Sequence, residues 1–381
     1  MSNSEKMNNI VMKSCYFIKK RPKISKGASN MTRDVRTPNK YFAAANGYLG
    51  FRSYFAEIFD SRYFDRIFVM KGGPGTGKST FIKKAANAFF DSGCYVEAIY
   101  CSSDKNSLDG AIIENGGKRV ALIDATSPHE RDAIFPGAID TIINLGDGFD
   151  EAELEKQRLK ILELNKNKHN YYRSAYSYLS IIGNIDRKLR ADFENLSDCR
   201  KISDKSKELA RASLTPSCSD KRTRLTSSFS KDGYSSFDTL IDLASNVLAV
   251  KGDGLSEYIF MRALKDEADL IGSAYTVAPS PFSHDIIEEL YFPESDLTVS
   301  TNATSARFVD TTPVASLIKN VETEELIKIK EKLLSFAKLD FALASMNHFE
   351  LEKIYTSAMN FEKISDLYIK TANKISEILR V

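Results

Sequence analysis

Scarce histidine, unpaired cysteine spacing and the lack of any long apolar run narrow the options before any motif is read. Only His129, His169, His284 and His348 are present, too few and too scattered for a histidine-rich metal centre. The five cysteines, Cys15, Cys94, Cys101, Cys199 and Cys218, are odd in number and form no C-x-x-C pair. They read as reduced thiols, with neither a structural zinc nor a disulfide framework. No stretch approaches the ~18 consecutive apolar residues of a membrane span. The N-terminus has no apolar signal-peptide core. The expectation is a cytoplasmic protein with no membrane partner.

Charge of one sign is also missing overall, because the net charge is only +2. It is unevenly placed. Residues 1–40 hold ten Lys and Arg against Glu5 and Asp34, which leaves −6 for the rest of the chain. Such a basic arm can dock on nucleic acid, or can be a solvated terminus without a partner. The chain's 381 residues, 43% hydrophobic and 27% charged, support two globular domains with real cores.

One stretch names a chemistry. Gly72-Gly73-Pro74-Gly75-Thr76-Gly77-Lys78-Ser79-Thr80 fits G-x-x-x-x-G-K-[ST] at every fixed position. The run Arg66 to Lys71 before it suits a buried strand. After it, Phe81, Ile82, Ala85, Ala86 and Phe89 recur at helical spacing. Strand, glycine loop and helix together make a phosphate cradle of backbone N–H groups at a helix N-terminus. Lys78 is expected to reach the β- and γ-phosphates and the Ser79 hydroxyl to ligate Mg²⁺. Val120-Ala121-Leu122-Ile123-Asp124 is an apolar strand ending in an acid, where such proteins hold a carboxylate for Mg²⁺.

Self-similarity sets the architecture. Phe42–Phe51 resembles Leu225–Tyr234, Phe68–Gly72 matches Leu248–Gly252, and Cys94–Val96 matches Ala274–Thr276. Ser107–Ile113 then faces Ser283–Ile287, and Val120–Thr126 faces Leu297–Thr304, all at offsets of 176 to 183 residues. Laid on the glycine loop without a gap, the second copy puts Glu257 at Gly77, Tyr258 at Lys78 and Ile259 at Ser79. Asp253 and Glu257 add repulsive negative charge, and Asn302 stands for Asp124. The second copy is expected to keep the fold and lose the nucleotide.

Glu151–Leu214 and Val321–Leu379 are Lys-, Glu- and Leu-rich with apolar stripes at helical spacing, expected as a helical appendage on each unit. The layout is therefore a basic arm (1–40), an α/β module (41–150), a helical appendage (151–214), a Ser/Thr-rich linker (215–231), a degenerate module (232–320) and a helical C-terminal region (321–381). Each module is expected to be a parallel sheet flanked by helices.

Other residues keep two readings. Asp104, in Cys101-Ser102-Ser103-Asp104, can orient water or accept a proton, or can cap a turn. Asp109 carries the same pair of readings. His129, in Ser127-Pro128-His129-Glu130, can contact phosphate or act as a base, or can be an ordinary surface-loop histidine. Arg131 and Arg173 are candidate arginine fingers.

Tyr41-Phe42-Ala43, Arg66 to Ser79, Cys101-Ser102-Ser103-Asp104 and Pro136-Gly137-Ala138-Ile139-Asp140 together resemble a known family. It is that of the tandem P-loop ATPase-like proteins of spore-forming, low-GC Gram-positive bacteria. The resemblance covers roughly residues 41–381. It implies two P-loop-type modules and ATP binding, and supplies no substrate. The departure at Glu257, Tyr258 and Ile259 leaves one live site. The expected function is a slow Mg²⁺-dependent ATPase acting as a switch toward a protein partner. A small-molecule or nucleotide kinase and a nucleic-acid-associated ATPase are the alternatives.

Overall fold

The computed structural model describes residues 37–194, 198–218, 220–304, 307–311 and 321–381. The basic arm lies outside the described residues except for its last four positions. Among those described, no helix is long and apolar enough to cross a membrane.

The first half opens with β1 (Asn39–Phe42), a hairpin of β2 (Ala44–Gly47) and β3 (Gly50–Ser53), and the short α1 (Phe55–Ile58). There follow β4 (Arg66–Lys71), α2 (Lys78–Asp91), β5 (Tyr95–Tyr100), β6 (Leu108–Asn115), β7 (Lys118–Asp124) and β8 (Asp140–Asn144). Three helices close it: α3 (Glu151–Lys156), α4 (Arg158–Glu194) and α5 (Asp198–Ser213). The six-stranded sheet has the order β1-β5-β6-β7-β4-β8.

The second half repeats this with β9 (Arg222–Thr223), the hairpin β10 (Ser227–Ser230) and β11 (Gly233–Ser236), and α6 (Thr239–Leu243). Then come β12 (Asn246–Lys251), α7 (Leu255–Ile271), β13 (Thr276–Pro279), β14 (Ile287–Phe292), β15 (Leu297–Ser300) and β16 (Phe308–Asp310). It ends in α8 (Val321–Ser357) and α9 (Phe361–Leu379). Its sheet, β9-β13-β14-β15-β12-β16, has the order of the first, strand for strand. The segment expected as a linker, 215–231, instead contains β9 and β10. Arg222 and Thr223 pair with β13 as β1 pairs with β5, so the second module begins inside that segment.

Neither sheet is wholly parallel. In the first, β1‖β5 and β7‖β4‖β8 run parallel, but β6 is antiparallel to both of its neighbours. The cause is local. Gly116 and Gly117 both have positive φ (55° and 77°) and turn β6 straight into β7. A two-residue turn of that type joins antiparallel strands and leaves no room for a crossover helix.

The helical segments do not each serve their own module. The long α4 and α8 lie antiparallel, with Lys188 against Glu322 at one end and Tyr172 against Phe341 further along. At ~1.5 Å per residue each spans roughly 55 Å, enough to carry the chain from one module to the other. Past that crossing, Ile202 and Ala210 of α5 enter the second-module core beside Phe260 and Leu264. Reciprocally, Ile364, Ile375 and Leu379 of α9 enter the first-module core beside Phe68, Phe81 and Ile82. The stripes that identify these helices show that a face is buried but not which sheet buries it; contrary to expectation, α5 and α9 each pack on the sheet of the other half.

Candidate functional site

The glycine loop runs from the end of β4 into α2, at the edge of the sheet reached by the carboxyl ends of β4 and β7. Gly75 and Gly77 take positive φ (71° and 87°), which costs glycine little. Gly77 forms the N-cap of α2. The fully buried Thr76 donates its hydroxyl to the Gly73 carbonyl at 2.9 Å, tying the loop across Pro74. Lys78 folds back beneath it, its ammonium donating to Gly72 O at 2.9 Å and Gly73 O at 2.7 Å. Ser79 accepts the Leu108 N–H at 2.8 Å, and Thr80 is exposed on the first turn of α2.

Asp124 ends β7 next to this loop because β7 pairs in parallel with β4, Met70 opposite Asp124. Its carboxylate stands 3.8 Å from the Lys78 ammonium and accepts from the Thr126 N–H and hydroxyl at 3.0 and 2.6 Å. Burial pushes the Lys78 pKa down and the Asp124 pKa up, and the opposite charge of each offsets part of that cost. An added dianionic phosphate would relieve the buried ammonium, and a cation would relieve the carboxylate.

Asp109 and His129 also belong to this edge. His129 Nε2 lies 2.9 Å from Asp109 Oδ2, and both side chains are buried. The imidazole stacks on Phe55 with ring centroids 4.3 Å apart. His129 is thus not a surface-loop residue. A packing partner at Phe55 and an acid at position 109 are separated in sequence from His129, so no local signal marks the pairing.

The remaining candidates are placed elsewhere or used otherwise. Asp104 accepts the Asn106 N–H at 3.0 Å, the capping reading of that residue. Arg131 donates to Phe59 O at 2.5 Å and to Ser61 Oγ at 2.9 Å and faces Asp140 at 3.4 Å, a structural clamp rather than a finger. Arg173 is exposed on α4. Burial, with Asp109 nearby, pushes the Cys101 thiol pKa well up. A surface depression of about 690 Å³, bounded by Arg62, Asp65, Glu114 and Lys118, lies at the opposite ends of the same strands and holds none of these groups.

Residues of the second half also reach the loop, which no motif foretells. The Thr356 hydroxyl of α8 donates to Gly75 O at 3.2 Å. A Cβ built on Gly75 would sit 2.6 Å from the Glu352 carbonyl and equally close to the Thr356 hydroxyl. Tyr355 stands over Gly73, and Phe361 over Gly77.

The second loop differs from the ungapped alignment. Six residues separate β4 from α2, but only Gly252, Asp253 and Gly254 separate β12 from α7. Gly254 is the N-cap with φ 90°, the counterpart of Gly77. Leu255 therefore stands where Lys78 does and Ser256 where Ser79 does, rather than Tyr258 and Ile259. Asp253 accepts the Ser256 N–H at 2.9 Å, and Glu257 accepts the Gly252 N–H at 2.8 Å. Two of the chain's own carboxylates fill the anion-binding end of the helix. Strand register, Val69 opposite Ile123 and Ala249 opposite Ser300, also moves the counterpart of Asp124 from Asn302 to Thr301.

No protein-family model, no curated protein and no solved structure matches this chain.

Proposed function

We propose that the first half binds ATP with Mg²⁺ at Gly72–Thr80 and hydrolyses it slowly, in a cytoplasmic protein that uses the bound state as a switch. The observation that carries this reading is the convergence of Lys78 and Asp124 under a glycine loop that opens a helix. The residues present fit the ligand. The loop leaves backbone N–H groups at the positive end of α2, and Lys78 supplies the balancing charge. Ser79 and Asp124 would hold Mg²⁺, which commonly takes one or two protein oxygens and completes its shell with phosphate and water. When bound, the ion neutralises charge developing on the phosphates.

The switch part rests on the contacts from α8. The loop cannot change shape without moving against Glu352, Tyr355 and Thr356. These lie on a helix whose other end pairs with α4, giving the nucleotide a lever between the halves. A kinase acting on a small molecule or nucleotide stands second, because Arg131, the cation after Asp124, is committed to Phe59, Ser61 and Asp140 and is not available as a lid.

Calorimetry with Mg²⁺ and a non-hydrolysable ATP analogue, joined to phosphate-release kinetics with and without acceptor compounds, tests the reading. Native protein should bind and release phosphate without an acceptor. Lys78→Ala should weaken binding at least about a hundredfold, the loss of a buried charge-assisted contact. Binding of equal strength in the variant overturns the site. Turnover only with an acceptor replaces the ATPase by the kinase.

A further inference from the structure

Gly110 of β6 lies opposite Ile123 of β7, which sets Asp109 beside Asp124 at the loop edge. The preceding residue, Leu108, donates its N–H to Ser79. Asp109 is therefore built into the glycine-loop site from the strand next to Asp124, and its charge is felt at both Lys78 and Asp124. His129 grips it from behind. The ring is held against Phe55 and Phe51, its backbone N–H donates to Thr126 O at 2.8 Å, and its Nδ1 is buried without a hydrogen-bond partner. That arrangement assigns the ring proton to Nε2, donated to Asp109 Oδ2.

The second half supplies the contrast. Register places Glu288 where Asp109 stands, since Glu289 faces Ser300 as Gly110 faces Ile123. One oxygen of Glu288 is wrapped by the Ser227 hydroxyl at 2.7 Å, the Tyr234 hydroxyl at 2.6 Å and the Asn302 amide at 3.2 Å. In the half whose loop is filled by its own carboxylates, the equivalent acid is tied down by three donors. Beside the intact loop, one imidazole holds one oxygen of Asp109 and leaves Oδ1 for another partner.

We propose that Asp109, held by His129, is the carboxylate that takes the attacking water at the glycine-loop site. The inference rests on the ATPase reading above and adds the acid that acts on the nucleophile. The water oxygen forms a bond to the γ-phosphorus as the bond to the β-phosphate oxygen breaks, its electron pair leaving on ADP. One water proton passes to Asp109 and on to solvent, while the other stays on the inorganic phosphate. Asp109 is the catalytic residue and His129 a positioning residue, which fixes the carboxylate by its Nε2–H.

The test is steady-state phosphate release and Mg²⁺–analogue calorimetry on the full chain, with thermal unfolding of each variant as the folding control. Asp109→Asn should lower kcat about a hundredfold while Kd stays within about threefold of native. Asp109→Glu should recover part of the rate. His129→Gln, which keeps an N–H donor, should retain more turnover than His129→Phe, which keeps only the ring. Native kcat in folded Asp109→Asn overturns this inference and leaves the ATPase reading standing. Parallel losses of Kd and kcat in folded Asp109→Asn and Asp109→Glu overturn it in favour of a structural carboxylate. Should Asp109→Asn not fold, equal turnover in folded His129→Gln, His129→Phe and native protein overturns it instead. Native protein that binds no nucleotide takes down both the inference and the function beneath it.

Discussion

Phe42 donates its backbone N–H to the carbonyl of Leu225 at 2.8 Å, and the two are equivalent residues of the two halves. An antiparallel bridge between equivalent positions lies where an internal two-fold relation between the halves would pass. Contacts gather around it. The Phe42 ring stacks on Phe237 at 4.7 Å, Thr239 donates its hydroxyl to Lys40 O at 2.7 Å, and a buried Arg224–Glu97 pair closes at 2.9 Å. The halves are thus joined through backbone, ring and charge at their strand edges, and again by the crossing of α4 and α8.

The exchange of terminal helices has a measurable consequence. Ile375 is fully buried in the first-module core although it lies at the end of the second half of the chain. Ile375→Ala should cost about 2–5 kcal/mol, the usual loss for a buried aliphatic cut to alanine. Hydrogen exchange should rise first in β4 and α2 of the first module. If protection falls in β12 and α7 and not there, the exchange of helices is wrong.

Asp269 offers a test in pH. Partial burial works to raise its pKa, but hydrogen bonds from Lys221, Lys265 and Tyr275 prevail and pull it down to about 2. A carboxylate depressed on folding contributes stability above its unfolded pKa of ~3.9 and loses it as pH falls toward about 2. Because the group is partly exposed, solvent screening reduces the contribution to on the order of 1 kcal/mol. Asp269→Asn should therefore be less stable than native by that amount at pH ~6 and equal to it only at pH ~1, below both the folded and the unfolded pKa. Denaturant titrations at the two pH values read the difference, and a constant gap would show that charge is not its source.

What the sequence discloses and what it hides divide along the range of the interactions. Gly72 to Thr80 is legible because its loop, lysine and helix are contiguous, and the structure keeps them so. The apolar runs Ile67–Met70 and Val120–Ile123 announce buried strands for the same reason. Gly116-Gly117 is a local hairpin signal, and this two-residue turn is what makes β6 antiparallel to β7 within an otherwise parallel-strand pattern. The pairing of Asp109 with His129, the arrival of Thr356 at Gly75 and the seating of Ile375 under the first sheet depend on tertiary closure, and no local pattern encodes them. The three residues lost between Lys251 and Leu255 stay hidden because Lys251-Gly252 aligns well and an ungapped comparison continues past the deletion.

If the glycine loop binds ATP as proposed, that deletion sets the expected stoichiometry at one nucleotide per chain. Two halves with one strand order might be expected to bind two, but a phosphate cradle needs free amides, a loop wide enough to surround an anion and a cation beneath it. At Gly252 to Leu255 the loop is half the length, the cation's position holds a leucine, and the amides of Gly252 and Ser256 already serve Glu257 and Asp253. A Cβ on Gly252 would stand 2.2 Å from the Thr311 hydroxyl and 2.3 Å from that of Ser256, so the space is closed as well as occupied. A phosphate would have to displace two carboxylates that are covalently part of the site and repel it. Calorimetry with Mg²⁺ and a non-hydrolysable analogue should give close to one site per chain. Replacing Glu257, Tyr258 and Ile259 together by Gly, Lys and Ser should not create a second, because the missing residues precede Leu255 and Asp253 remains. The informative variant grafts Gly72–Ser79 in place of Gly252–Ser256, restoring length, lysine and glycines at once. Two equivalent sites in native protein would mean that the carboxylates are readily expelled and that the second loop is merely closed, not lost.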